Sequence, residues 1–189
     1  MTNIVDFDKT LIKINSFPIW ILYLIINYIF YNPNKCFILL FLLVKRKSRK
    51  ISHEVFKKKL MLLATEDFLN KRFVSLLSIF VNKKVAKIID GESNVVISAA
   101  PFNYIKYVKC YFNSITDIQG TYILNNELID LYGKNKSKYA KKYGLINKVI
   151  SDDISDLPIY WLSHNRYFVN KKYKKITQIK KYFPDIIII

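Results

Sequence analysis

Residues 3–11, Asn-Ile-Val-Asp-Phe-Asp-Lys-Thr-Leu, carry a short apolar run straight into two acids. The β-branched and aromatic residues of Ile4-Val5-Asp6-Phe7 favour an extended chain, on which Asp6 and Asp8, two apart, share one face. Neighbouring carboxylates repel. The pair is tolerable if a cation sits between them, if one is protonated, or if the chain turns so that they diverge. An ordinary strand followed by an Asp-rich turn fits these nine residues equally well, so the rest of the chain has to decide.

After Thr10 the chain is at its most apolar, from Phe17 to Tyr31 and again from Cys36 to Val44, with Asn32-Pro33-Asn34-Lys35 between. Pro33 disfavours helix at Asn32, and asparagines suit a turn and an N-cap, so two helices are expected. A spanning helix needs about 20 apolar residues. The two runs hold 15 and 9, too short for either to cross a bilayer comfortably alone. They read either as the buried face of a helical subdomain or as a hairpin in contact with a membrane. The basic block Lys45-Arg46-Lys47-Ser48-Arg49-Lys50 follows, with Lys57, Lys58 and Lys59 beyond it. An anionic leaflet attracts such a block, at roughly 1 kcal/mol per basic residue near the surface. Thr65-Glu66-Asp67 then predicts an N-cap opening an amphipathic helix through Phe73, Leu76, Leu77 and Phe80. Residues from about 12 to 90 thus read as nearly all helical.

Past Gly91 the pattern changes. Asn94 to Ser98 reads as a short buried strand, and Ala99-Ala100-Pro101 as the lead into a helix with Pro101 in its first turn. Short strands are expected at Thr121–Leu124, Lys148–Ser151 and Tyr167–Val169, a basic helix from Gly133 through Tyr143, and a Lys-rich last helix from about Lys171 to Phe183. The apolar tail Ile186–Ile189 suits a final edge strand. Strands alternating with helices imply an α/β fold with a mostly parallel sheet covered on both faces, which gathers functional groups at the carboxyl ends of its strands.

Composition narrows the partners. Lys and Arg number 31 against 14 Asp and Glu, a formal charge of +17, which suits nucleic acid, an anionic membrane surface or phosphorylated substrates. Cys36 and Cys110 are far apart and lack CxxC or His partners, so neither a disulfide framework nor a zinc site is expected, and a reducing cytoplasm fits best. The start of the chain is not built like a secreted precursor. His53 and His164 read as surface residues.

Three strand ends now carry polar groups of defined kinds: Asp6 and Asp8 after the first, Ser98 at the end of another, and Asp152, Asp153 and Asp156 after a third. In one parallel sheet they converge. So many carboxylates at one edge call for a divalent cation, and oxygen-only ligands select Mg²⁺ over zinc.

On these residues the chain resembles the haloacid dehalogenase superfamily of phosphohydrolases over nearly its whole length. Asp6-Phe7-Asp8-Lys9-Thr10 looks like the DxDxT signature and Val95-Val96-Ile97-Ser98 like the strand ending in Ser or Thr. Lys136, in Gly-x-x-Lys, looks like the lysine motif, and Ser151-Asp152-Asp153-Ile154-Ser155-Asp156-Leu157-Pro158 like the acidic motif. The resemblance implies a Rossmannoid three-layer core at 1–12 and 91–189, with an all-helical cap at 13–90. It implies Asp6 as nucleophile forming an aspartyl-phosphate, and Asp8 as proton donor and then base. Thr10, Ser98 and Lys136 would bind phosphate. Mg²⁺ would be held by Asp6, the carbonyl of Asp8 and Asp152, with Asp153 and Asp156 behind them. Asp153 departs from the family pattern, which more often has Ser or Gly there, and Lys134 is a rival to Lys136. An acid at Asp8 favours phosphatase over dehalogenase chemistry.

The insertion between the first and second motifs sits where type 1 caps sit, as in the phosphoserine phosphatase-like branch. The layout is especially similar to the membrane-associated phosphatidylglycerophosphate phosphatases of the C type. Asp6 and Ser98 belong to one sheet, so the intervening chain crosses a membrane an even number of times or never. The expected enzyme is a Mg²⁺-dependent phosphomonoesterase acting on a lipid-linked or membrane-presented phosphate. Residues 17–59 would face an anionic membrane surface, on its cytoplasmic side. The alternatives are a phosphatase of a small soluble phosphomonoester such as phosphoserine, a phosphotransferase using the same aspartyl-phosphate, and a non-catalytic basic module that binds nucleic acid. The basic residues follow no recognisable nucleic-acid motif, so no specific nucleic acid is expected.

Overall fold

The apolar runs at residues 3–5, 95–97 and 149–150 make the centre of one seven-stranded sheet. A computed structural model describes residues 2–189. Its strands are β1 (Thr2–Val5), β2 (Asn94–Pro101), β3 (Ile115–Leu124), β4 (Glu127–Ile129), β5 (Ile146–Ser151), β6 (Ser163–Phe168) and β7 (Ile187–Ile188). They lie in the order β4-β3-β2-β1-β5-β6-β7. All neighbours are parallel except β3 and β4, which form a hairpin. Its two turn residues, Asn125 and Asn126, both have positive φ, as a tight hairpin turn matching the strand twist requires.

Period-two alternation sends successive side chains to opposite faces. Ile4, Val95, Ile97 and Val149 enter one apolar cluster, and Val5, Val96 and Ile150 the other. Burying each such side chain fully stabilises the fold by about 1.5–3 kcal/mol. The first cluster is closed by α7 (Lys134–Ala140), α8 (Leu157–Tyr160) and α9 (Tyr173–Lys180), the second by the helices between β1 and β2 together with α6 (Phe102–Ile105). The protein is thus α/β, a three-layer Rossmann-like fold with a mostly parallel sheet.

Five helices join β1 to β2: α1 (Ser16–Tyr31), α2 (Pro33–Lys47), α3 (His53–Leu63), α4 (Asp67–Leu77) and α5 (Lys83–Ile89). Asn32 ends α1 and caps α2, its side chain accepting from the Lys35 N–H at 3.1 Å, with Pro33 in the first turn where no N–H is missed. Lys45, Arg46 and Lys47 fill the last turn of α2, where positive charge suits the helix dipole. Trp20, Leu24 and Tyr28 face inward from α1, and their cluster is continuous with the sheet core through Val5 and Val96. The opposite face is apolar too. Leu22, Ile26, Ile29 and Phe30 on α1, and Phe37, Ile38, Phe41 and Val44 on α2, are exposed, Phe30 to 81% and Phe37 to 73%. No helix of the described residues is long and apolar enough to cross a membrane.

Four local expectations are corrected. Strand β2 continues through Ala99 and Ala100 to Pro101, which caps α6 from outside instead of entering its first turn. At the last strand position a missing N–H costs no ladder bond. Helix α4 is entered from Glu66, not Thr65, and without a side-chain cap, since the Glu66 carboxylate is taken by Tyr28 and Lys35. Leu76 and Phe80 lie outside the buried face of that region, which runs through Leu69, Phe73, Val74 and Leu77. Lys57 does not belong to an outward basic run: it is buried, and it reaches the sheet.

Candidate active site

Strand β1 ends between β2 and β5, where the chain order changes direction and a crevice opens at the carboxyl edge. Asp6 is the first residue beyond it, its N–H donating to the Ile150 carbonyl at 2.9 Å, so its backbone is an extension of the sheet. The chain then turns sharply. Phe7 is buried and its carbonyl accepts from Ile12 N–H at 3.0 Å, while Lys9 adopts φ 57, a left-handed conformation uncommon for a side-chain-bearing residue. This turn separates the two acids. Asp8 is held from the start of α1, where the Ser16 N–H donates to Asp8 Oδ1 at 2.8 Å. Burial pushes the Asp8 carboxyl up to about 6, against the opposing hydrogen bonds from Ser16. The Ser16 hydroxyl is in turn hydrogen-bonded to the buried Tyr104 hydroxyl at 2.6 Å.

Lys136 enters from α7, which Gly133 (φ 55) introduces, and is buried. Its Nζ donates to Asp6 Oδ1 at 2.7 Å and Asp156 Oδ2 at 2.6 Å. Burial alone would lower the Lys136 pKa, but Asp156 and Asp6 outweigh it and raise it, so the ammonium stays charged. Lys134, its rival, is exposed. Asp156 also accepts from the Ser151 hydroxyl, and Asp153 pairs with Lys175 on α9 while accepting from the Ser155 N–H at 2.9 Å. Burial works against the Asp153 carboxylate, yet the Lys175 and Ser155 bonds leave it below the ordinary range. Its carboxylate is engaged by Lys175 and Ser155 even though the residue lines the cavity.

Asp152 differs from both. It is buried, and its carboxylate accepts no hydrogen bond from the described residues. Burial, then the charges of Asp6 and Asp153, push it up to about 7. Asp6 is raised as well, by burial first, with Lys136 opposing. Two mutually repelling carboxylates, one of them without a partner, form an oxygen-only donor set that suits a hard divalent cation. Mg²⁺ in particular takes one or two carboxylates and keeps several waters. Among the described residues no three His, Cys, Asp or Glu side chains are gathered into a closed metal cage.

Asp6, Asp8, Ser98, Lys136, Asp152, Asp153 and Asp156 line one cavity of about 170 Å³. Ser98 is buried, with its Oγ accepting from the Ala100 N–H at 3.3 Å. Thr10 is the exception among the expected residues: it is fully buried, lies outside the cavity lining, and its hydroxyl has no hydrogen-bond partner among the described residues. Lys9, Asn15 and Tyr132 join the wall without having been singled out by sequence. Lys57 was also missed, although Phe56, Lys57, Leu60 and Met61 are all buried on one face of α3, a helical spacing that could have drawn attention to it.

Among solved structures, the crystal structure of a protein of unknown function from Bordetella pertussis Tohama I is similar to this chain, with a TM-score of 0.72 over 99% of each chain at 12% sequence identity. Likeness at that identity establishes the three-layer fold. A scan against protein-family models and a search of curated proteins give no match.

Proposed function

We propose that this protein is a Mg²⁺-dependent phosphomonoester hydrolase of the haloacid dehalogenase type, working through an aspartyl-phosphate on Asp6. The observation that carries this reading is the meeting of Asp6, Asp8, Ser98, Lys136 and Asp152, from separate stretches of chain, around one cavity at the carboxyl edge of β2, β1 and β5. Asp6 attacks phosphorus, forming a bond from its carboxylate oxygen while the bond to the ester oxygen breaks. Asp8, with a carboxyl near 6, delivers the proton that the leaving oxygen needs. A water molecule then attacks phosphorus, giving its proton to Asp8, and the phosphate leaves Asp6 free. Lys136, charged and held by Asp156, with the Ser98 hydroxyl, offsets the negative charge that a carboxylate must approach. Asp6, the Asp8 carbonyl and Asp152 would hold Mg²⁺, which when bound supplies further charge neutralisation at the phosphoryl oxygens.

Asp6→Asn tests this reading. Lys136 keeps Asp156 as its partner in that variant, so the fold should persist. Hydrolysis of p-nitrophenyl phosphate should vanish, and turnover retained at the parent rate would overturn the assignment.

A specific observation favours a membrane-presented phosphate over a small soluble one. The α1–α2 hairpin is apolar on its outer face as well as its inner one, and the outer stripe ends at Lys45, Arg46, Lys47, Arg49 and Lys50. A helix apolar all round is stable only with both faces covered. The hairpin lies in the interface of an anionic bilayer, parallel to its plane, with the basic block on the headgroups. Co-sedimentation with phosphatidylserine-containing vesicles is the expected result, and protein remaining in the supernatant at physiological salt would refute it.

A further inference from the structure

Lys57 lies on α3, within the helical layer, yet its ammonium is spent on the sheet. The residue is 4% exposed. Its Nζ donates to the Ala99 carbonyl at 2.7 Å, to Thr121 Oγ1 at 3.0 Å and to Asp130 Oδ1 at 2.8 Å, which uses all three N–H donors of a lysine. Thr121 Oγ1 closes the network, 2.8 Å from the Ala99 carbonyl and 2.6 Å from Asp130 Oδ1. Burial lowers the Lys57 pKa and Asp130 opposes it, with the Asp8 charge also reaching it.

Both segments that Lys57 grips are walls of the cavity. Ala99 lines it beside Ser98, and Asp130 begins the stretch that places Leu131 and Tyr132 on the wall and Lys136 inside. Lys57 itself does not line it. A buried lysine paired with a partly exposed Asp130 is a poor way to gain stability, since an apolar side chain of similar volume is often as good, whereas its three directed hydrogen bonds hold the segments they join in one arrangement. We infer that Lys57 is a positioning residue, tying the helical layer to the Ser98–Ala99 stretch of β2 and to the Asp130–Lys136 segment, and so fixing the two sides of the phosphate cavity relative to each other. The kinetic part of this inference rests on the phosphatase reading, whereas the structural part does not.

The test uses Lys57→Met and Asp130→Asn in the full chain, the second keeping an oxygen acceptor should the first fail to fold. Amide hydrogen exchange should rise in peptides covering 98–101 and 130–137 and stay unchanged in β5. With p-nitrophenyl phosphate, KM and the inhibition constant of inorganic phosphate should rise together by about tenfold or more, with kcat falling less, because the two phosphate-binding sides lose their spacing. Unchanged exchange at both segments, or exchange that rises equally in β5, overturns the inference, the second result marking Lys57 as a general brace. Unchanged KM and phosphate inhibition in an active, folded variant overturns it as well. Should the parent protein hydrolyse no phosphomonoester, the phosphatase reading falls and the exchange pattern alone decides the role of Lys57.

Discussion

Lys136 and Lys134 stand two residues apart at the start of the same helix and have opposite fates. Lys136 bridges Asp6 and Asp156 in the interior, while Lys134 is exposed. Lys136→Met should lower kcat/KM on a generic phosphomonoester by about 10²–10³, the usual loss when one preorganised charge partner is removed. Lys134→Met should stay within about twofold, as surface substitutions away from special features do. An equal loss in both variants would mean that the helix, not the buried ammonium, matters. The Gly-x-x-Lys spacing from Gly133 favoured Lys136 over Lys134 in the sequence, and its burial between Asp6 and Asp156 agrees with that preference, while the acids at strand ends were legible because each follows a short apolar run. Lys57 was not. In a chain with 31 basic residues, one lysine within Lys57-Lys58-Lys59 looks solvated, and only packing reveals that its partners lie 42, 64 and 73 positions away. Thr10 misled in the other direction: its place in a motif suggested phosphate, and its environment is closed.

Elements were easiest to read where burial is two-sided or a breaker is strong. The apolar runs of β1, β2 and β5 allow little but central parallel strands, and Asn32-Pro33 allows little but the break between α1 and α2. Strand β3 was seen only in its last residues, because Asp117, Gln119 and Gly120 interrupt the apolar pattern that marks a strand. Gly120 is there for space. A Cβ on it would lie 2.5 Å from Ile105 Cδ1 and 2.8 Å from the Ala100 carbonyl oxygen, a close approach between β3 and α6 that local sequence cannot distinguish from a turn. The entry to α4 was misplaced by one residue because the role of Glu66 is set by long-range partners, Tyr28 on α1 and Lys35 on α2. That same carboxylate gives the helical layer a pH dependence. Burial opposes its charge, but the Lys35 and Tyr28 hydrogen bonds hold it below its ordinary value of 4.5. The unfolded chain therefore takes up the Glu66 proton first as pH falls, so the stabilisation is present at neutral pH and is lost through the lower, folded value. Glu66→Gln should lower Tm at neutral pH, and its gap from the parent should close as the pH falls below the ordinary value of 4.5. A gap constant with pH would show that the ion pair contributes nothing beyond packing.

At the scale of the molecule, a net charge of +17 and an exposed apolar hairpin on one flank are the features on which the proposed anionic interface rests. Composition made the charge legible, but it could not say which face of α1 and α2 was inside, since both are apolar. Phe30→Asp combined with Phe37→Asp leaves the inner face untouched and should reduce partitioning onto phosphatidylserine vesicles by at least about 100-fold, the cost of two aromatic side chains that no longer leave water. Activity on p-nitrophenyl phosphate should be retained. Raising the salt should weaken parent binding as the basic block is screened, and binding that ignores both changes would point to a different surface. One detail of the site joins these two ends of the molecule. Ser16, whose N–H holds Asp8, is also the first residue of α1, a rod of about 24 Å at 1.5 Å per residue. Asp8, which the proposal makes the proton donor, is therefore tied to the first turn of the same helix whose outer face carries the exposed apolar stripe. Their bearing on each other is set by the fold, so on the proposed function a plane that received the stripe would also fix the direction from which Asp8 meets the substrate.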